Sequence, residues 1–281
     1  MVDYHGQATS LIGNRESQQD DYLIDNNVFG DKSYALYAVF DGHGKDGAKA
    51  SKGAKKRLKE LISRRKEAFI KDPRTTLHNL FQDIGELLEE DVQMDLYMSG
   101  TTAVVVVLNE IEIWVANLGD CRAILGRTLK KEASTSYKCV VLTRDHTCSD
   151  IEERNRVEKL GARVAVSPDH NAPDAPFRLY KGTLPYPGLV MTRAFGDVSA
   201  KKVGLIWEPE IFHYKITADD KALILATDGV WDALPNEKVI QIACKYSNEA
   251  EASENLANKS LKYLGKKQID DNVTNIVIFL K

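Results

Sequence analysis

No stretch of the 281 residues approaches the ~18 consecutive apolar positions of a membrane-spanning helix, and the N-terminus lacks the charged-then-apolar order of a secretory signal. Position 2 is Val2 rather than glycine, so no myristoylation signal is legible. An excess of one charge is also missing. The 38 Lys and Arg against 41 Asp and Glu leave a formal −3, too weak a field to favour nucleic acid or an anionic membrane as partner. Cysteine is scarce: Cys121, Cys139, Cys148 and Cys244 form no C-x-x-C pair, which argues for reduced thiols in an intracellular compartment, cytoplasmic or nuclear. The glycine-lysine nucleotide loop, the H-E-x-x-H helix and the G-x-S-x-G elbow are absent, so ATPase, zinc protease and serine hydrolase readings have no local support.

Two cysteines do carry an arginine six places on, the spacing used by thiolate phosphatases: Cys121 with Arg127 and Cys148 with Arg154. Neither fits that chemistry. The residues after Cys121 read as a strand, not as a cradle of inward-turned amides, and Asp150, Glu152 and Glu153 would repel a phosphate dianion in the second.

What is present is a chain with 43% apolar residues, enough to bury a real core. The run Tyr34 to Phe40 reads as a buried strand ending at Asp41-Gly42. Ala50, Ala54, Leu58, Leu61 and Ile62, then Leu77 through Val92, keep helical spacing and predict two amphipathic helices broken near Pro73. Thr101 to Leu108, Ile111 to Leu118 and Cys121 to Leu125 are separated only by Asn109-Glu110 and Gly119-Asp120, which predicts an antiparallel meander. A short helix is expected from Ile151 to Leu160. Ala165 to Leu189, with five prolines, reads as a long surface loop. Lys221 to Thr227 is a strand, Asn236 to Tyr246 and Ala252 to Leu264 are helices, and Val273 to Leu280 is a closing strand. The pattern predicts two packed antiparallel sheets with helices outside, an α+β arrangement in one domain.

The acidic residues fall at telling places. Asp41 and Asp228 close apolar strands, Asp120 sits in the turn of the meander, Asp232 lies one helical turn after Asp228, and Asp270-Asp271 opens the last strand. Taken singly, each Asp-Gly pair is a turn signal. Brought together, the anions would repel by ~1 kcal/mol per pair at 4 Å in water-like surroundings and several times that near a protein surface. Hard divalent cations would cancel that cost and acidify a bound water. His43 has the chemistry of a general acid, and Arg15, five residues before Asp20, that of a bidentate phosphate ligand.

In order, the segments Asn14 to Asp20, AVFDGHG (38–44), SGTTAVVVVL (99–108), VANLGDCRAIL (115–125), LTRDHTCSDIEERNRV (142–157), MTRAFGD (191–197), LILATDGVWDAL (223–234) and Asp270 to Asn272 resemble the motif series of type 2C protein phosphatases. The resemblance spans nearly the whole chain. It implies a four-layer αββα sandwich, two antiparallel sheets flanked by helices, forming one catalytic domain over 1–281 with a flap around 145–207. It implies two Mn²⁺ or Mg²⁺ ions, with Asp41 bridging, the Gly42 carbonyl, Asp228 and Asp271 completing the protein ligands, and Asp20 acting through water. Asp120 and Asp232, with Asp228, match a weaker third metal position. Arg15 would orient the phosphoryl group and His43 would protonate the departing serine or threonine oxygen, after attack by a metal-bridging hydroxide. Phosphorylated proteins are the expected substrates of a monomer, and a catalytically impaired scaffold is the rival reading. Many relatives carry glutamate where Gln19 stands, and Arg193 with Asp197 reads as a structural ion pair.

Overall fold

The computed structural model describes residues 4–30, 32–131, 134–167 and 175–280. In chain order the elements are β1 (Gln7–Leu11), β2 (Asp21–Asp25), β3 (Ala35–His43), α1 (Gly47–Ile62), α2 (Lys66–Lys71), α3 (Pro73–Glu89), β4 (Gly100–Leu108), β5 (Glu112–Leu118), β6 (Arg122–Lys131) and β7 (Ser134–Val141). They continue with α4 (Ile151–Lys159), β8 (Ala162–Val166), β9 (Phe177–Lys181), β10 (Pro187–Leu189), β11 (Phe195–Gly196), α5 (Val198–Lys201), β12 (Glu210–Lys215) and β13 (Asp220–Ala226). The last are α6 (Asp228–Trp231), α7 (Asn236–Ala243), α8 (Glu249–Lys267) and β14 (Val273–Phe279).

One sheet runs β12-β5-β4-β3-β2, with β11 on the end of β4; the other runs β1-β14-β13-β6-β7. The period of two along each strand sorts the core into layers. On β3, Tyr37 and Val39 face the opposite sheet, where they meet Leu223, Leu225, Ile276 and Ile278. Leu36, Ala38 and Phe40 point the other way, onto Leu58 of α1 and Leu77 and Phe81 of α3. Ile224 and Val277 do the same on the second sheet, against Ile240 of α7 and Leu256 of α8. Both faces of the central strands are covered, which is why β4 is an unbroken apolar run after its threonines. The result is the expected αββα sandwich.

Three expectations need correction. The predicted meander is a hairpin plus a crossing: β4 and β5 pair, but β6 joins β13 and β7 in the other sheet. Gly119, at φ +100, makes the corner that carries the chain between sheets, and a Cβ there would press into Thr102. The stretch Ala165 to Leu189 is not a plain loop, since β8, β9 and β10 form a small antiparallel sheet. Two of its prolines sit where strands tolerate them, Pro176 just ahead of β9 and Pro187 at the start of edge strand β10. Residues 168–174 of that stretch lie outside the described residues. The break near Pro73 is where it was expected, but a short helix not foreseen, α2, precedes it; Pro73 opens α3 with Asp72 capping Thr75, and α3 stops at Glu89, so Val92 lies beyond the helix and is exposed.

Candidate active site at one end of the sandwich

The strand register alone gathers the acidic residues. Antiparallel pairing sets Asp21 of β2 opposite Phe40 of β3, so Asp20 falls beside Asp41. Likewise Ala226 of β13 faces Asn275 of β14, so Asp228, just past one strand, meets Asp271, just ahead of the other. Asp120, between β5 and β6, occupies the corner at the same end, because Leu118 pairs with Ala103 and Arg122 with Ala226.

The strand ends open into a cleft of about 520 Å³ whose lining includes Arg15, Asp41, Gly42, His43, Asp120, Asp228, Asp232 and Asp271. Asp20 lies behind it, 6% exposed, accepting a 2.9 Å hydrogen bond from the Thr227 hydroxyl. Every residue singled out from the sequence is therefore at this end of the molecule.

Several local devices fix the geometry. Gly42 donates its N–H to the Gln19 carbonyl at 3.2 Å, and a Cβ at Gly42 would collide with the carbonyl oxygen of Gly47. The Thr101 hydroxyl donates to the Asp41 carbonyl at 3.0 Å. Asn272 ties the two chain ends together: its side-chain oxygen accepts from Gln19 N–H at 2.9 Å, while its amide donates to the carbonyls of Ile12 and Ser17. Gln19 puts its neutral amide to use by donating to the Gly44 carbonyl at 2.8 Å, a role that an ionised glutamate could not fill.

The electrostatics are those of an anion cluster short of counter-charge. Burial lifts Asp41 well above the usual carboxylate range, and the charges of Asp20, Asp271 and Asp120 lift it further. Asp228 is raised well above that range for the same reasons, burial first and then Asp41 and Asp271. Burial also brings Asp20 and Asp120 up to about 7. In Asp271 burial wins over the opposing pull of Arg15, whose guanidinium stands 3.2 Å away. Asp120 keeps one buried carboxylate oxygen without a partner. Among the described residues no three of His, Cys, Asp and Glu stand close enough together to hold a metal ion as they are placed. The donor chemistry of the cleft is nonetheless all oxygen, which is what hard cations such as Mg²⁺ or Mn²⁺ take.

His43 forms a short contact through Nε2, 2.6 Å from Oδ2 of Asp197. Burial disfavours a charged imidazole there, but the Asp197 carboxylate outweighs it and the ring's pKa lies above its ordinary value. The expected Arg193–Asp197 ion pair does not form. Arg193 instead pairs with Glu153 at 2.7 Å, a carboxylate also held by Arg156 and by the Thr192 hydroxyl. Between the two, Phe195–Gly196 is extended against β4, and Asp197 is turned to His43.

The cleft holds other residues that sequence reasoning passed over. Arg122 grips Asp145 through two hydrogen bonds, at 3.0 and 2.6 Å, and lies over Trp231. Arg178 and Pro176, from the small sheet, also line the cleft. The arginine one residue past Asp120-Cys121 is the only signal for the first; the others fall inside the flap implied around 145–207, but no local pattern singles them out. The thiols take no part. Cys121 is fully buried and burial raises it well above its usual value, while burial pushes Cys148 up to about 12.

Comparison with known proteins agrees with this geometry. A family model described as Protein phosphatase 2C matches residues 4–273. "Probable protein phosphatase 2C 72" of Arabidopsis thaliana is 31% identical over 98% of this chain and 85% of its own length. "Probable protein phosphatase 2C 73" of Oryza sativa subsp. japonica is 35% identical over 79% of this chain, which spans half of that protein. Among solved structures, serine-threonine phosphatase 2C from Toxoplasma gondii superposes with a TM-score of 0.83 at 22% identity, over 99% of this chain and 95% of the other. The αββα sandwich, the acid-lined cleft at its end and these relatives place the chain in the protein phosphatase 2C family, the generally metal-dependent serine/threonine protein phosphatases.

Proposed function

We propose that the cleft hydrolyses phosphoserine and phosphothreonine esters in proteins in a single displacement, without a phosphoenzyme. The observation that carries this reading is the convergence of Asp41, Asp228 and Asp271, each raised by burial, with the guanidinium of Arg15 against Asp271. Asp41, Asp228, Asp271 and the Gly42 carbonyl would hold two Mn²⁺ or Mg²⁺ ions, with Asp20 supporting them through water; Asp120 and Asp232, with Asp228, would hold a weaker third. When bound, the ions offset the carboxylate repulsion and make water acidic enough to serve as nucleophile near neutral pH.

The chain's own residues do the rest. Arg15 is half-exposed at the rim and exchanges its contact with Asp271 for the phosphoryl oxygens, which a guanidinium grips in bidentate fashion. His43 gives a proton to the serine or threonine oxygen as it leaves. The small sheet acts as a flap: Pro176, Arg178 and the segment from Gly188 to Met191 face the cleft and select the polypeptide around the phosphorylated residue.

The test is phosphate release from a phosphothreonine peptide with added Mn²⁺ or Mg²⁺, beside Asp228→Ala. Metal-dependent turnover in the parent, and its loss with loss of metal binding in the variant, is the expected result. Full turnover in stripped, chelated protein would overturn the mechanism, and silence of both proteins with metal present would favour a binding scaffold.

A further inference from the structure

The cleft has a neighbour. Ile269 and Asp271 line it and also line a second cavity, of about 300 Å³, that plays no part in the reading above. The walls of this cavity are aliphatic: Leu11 and Ile12 at the end of β1, and Leu261, Leu264 and Ile269 at the end of α8, with Asn14 and Asp271 as the polar lining residues. Leu11, Leu261 and Ile269 pack on the helix-covered core of the second sheet, yet Ile12 stays 44% exposed. The volume is at the lower bound of small-molecule pockets, ~300–1,000 Å³, and suits a single side chain.

Gly265 leaves this cavity open, and nothing in the backbone asks for a glycine there. It lies in the last turn of α8, where glycine weakens a helix relative to alanine. The helix cap uses another residue. Gln268 takes the left-handed φ of +58, donating its N–H to the Gly265 carbonyl at 3.3 Å, while Ile269 donates to the Leu264 carbonyl at 3.1 Å. Glycine would be at home at 268 and stands instead at 265. A Cβ on Gly265 would meet no atom within 4 Å, so close packing does not require it either. Gly13, by contrast, is demanded twice, by φ +64 and by the Asp271 carbonyl that a Cβ would strike; that close approach seats the loop leading to Arg15 directly on Asp271. What the missing side chain of Gly265 leaves is space among aliphatic groups, beside the arginine read as the phosphate's ligand.

We propose that this cavity is a specificity subsite: resting on the reading of the cleft as a phosphoprotein site, it receives an aliphatic or aromatic side chain of the substrate, a few residues from the phosphorylated serine or threonine. A polypeptide whose phosphate meets Arg15 has Ile12 to Asn14 beside it, and the lining shared through Ile269 and Asp271 carries it from one site into the other. The aliphatic walls offer no partner to a charged side chain, so apolar residues are preferred to acidic or basic ones.

The test walks leucine through phosphothreonine peptides that otherwise carry alanine, over ~4 positions on each side, the reach of a chain extending ~3.3 Å per residue, with Mg²⁺ present. At one position leucine should raise kcat/KM ~10-fold over alanine, chiefly through KM, and glutamate should not. Gly265→Leu, which fills the cavity, should bring that ratio to ~1, and Ile12→Ala should bring it to ~3. Gly265→Ala separates this from a folding effect: it should melt ~2 °C above the parent, as a helix glycine replaced by alanine does, and still lose part of the leucine preference. A flat leucine profile, a preference that survives Gly265→Leu, or a lowered melting temperature in Gly265→Ala would overturn the subsite and leave the phosphatase reading standing. A parent dimer in sedimentation that Gly265→Leu dissolves would assign the cavity to a second copy of this chain and overturn it likewise. Failure to turn over any of the peptides would sink the phosphatase reading, and the subsite with it.

Discussion

Two buried carboxylate regions of this molecule are opposites. Around Glu153, 2% exposed, Arg156, Arg193 and the Thr192 hydroxyl satisfy the anion completely, and the arginines hold its pKa well below the usual range despite the burial that opposes them. Around Asp41 and Asp228, the neighbours are more carboxylates, and the same burial acts unopposed. Arginines also reach the cleft, but Arg15 meets only Asp271 and Arg122 is engaged with Asp145, so neither pairs with Asp41 or Asp228. A closed ion network stabilises; an open one binds.

Substitutions can break that contrast, and the largest effect belongs to the open cluster. Asp228→Asn should cost ~1000-fold or more in kcat/KM on a phosphothreonine peptide. The same change relieves repulsion, so in EDTA the variant should be more stable than the parent by about 1 kcal/mol, while the gain in melting temperature on adding Mg²⁺ shrinks. A variant less stable than the parent in EDTA would mean that the aspartates are not mutually strained.

Glu153→Gln attacks the closed network. It leaves two arginines facing each other without their anion, and should cost about 2–3 kcal/mol in urea unfolding, toward the lower end for a broken buried pair because Arg156 still reaches solvent. Metal affinity should hardly move. The sign of the pH dependence follows from the lowered pKa: the stabilisation is fully present above the unfolded value of about 4.3 and drains away as pH falls below it. The parent should therefore lose stability steeply below that pH and the variant much less.

The smallest expected effect concerns His146, fully buried where the corner before Asp120 meets the flap's root. Its Nδ1 accepts the Gly119 N–H at 3.2 Å and Nε2 lies 3.2 Å from Glu210, so the ring is held neutral with Nε2 as the donor. Burial lowers its pKa, with the Glu210 hydrogen bond only partly opposing this. A lowered histidine contributes stability above its unfolded value of about 6.5, and this is lost as pH falls through that value and below. His146→Gln should flatten the stability profile between pH 7.5 and 5 by up to ~1 kcal/mol.

Much of the site was legible because it depends on residue type at strand ends. A strand that stops at Asp41-Gly42 and another that stops at Asp228-Gly229 can be read from apolar runs and turn residues alone. The four-layer arrangement was legible for the same reason, with both faces of the central strands apolar. Which strand pairs with which was not, since β6 and the short β4–β5 hairpin look alike from local spacing while joining different sheets. Nor were the partners of Arg193 and Asp197, which lie 40 and 154 positions away. Contacts of that range follow from strand pairing and from where α4 packs, neither of which local spacing contains.

The tie made by Asn272 carries a consequence for how the cleft is held together. It joins the loop before β2 to the start of β14, segments 253 positions apart, and so brackets Asp20 and Asp271 between them. The cleft is therefore no more durable than the seating of β14 between β1 and β13: a lesion that unseats that one strand would scatter the acids while leaving the helix-covered sheet of β2 to β5 intact.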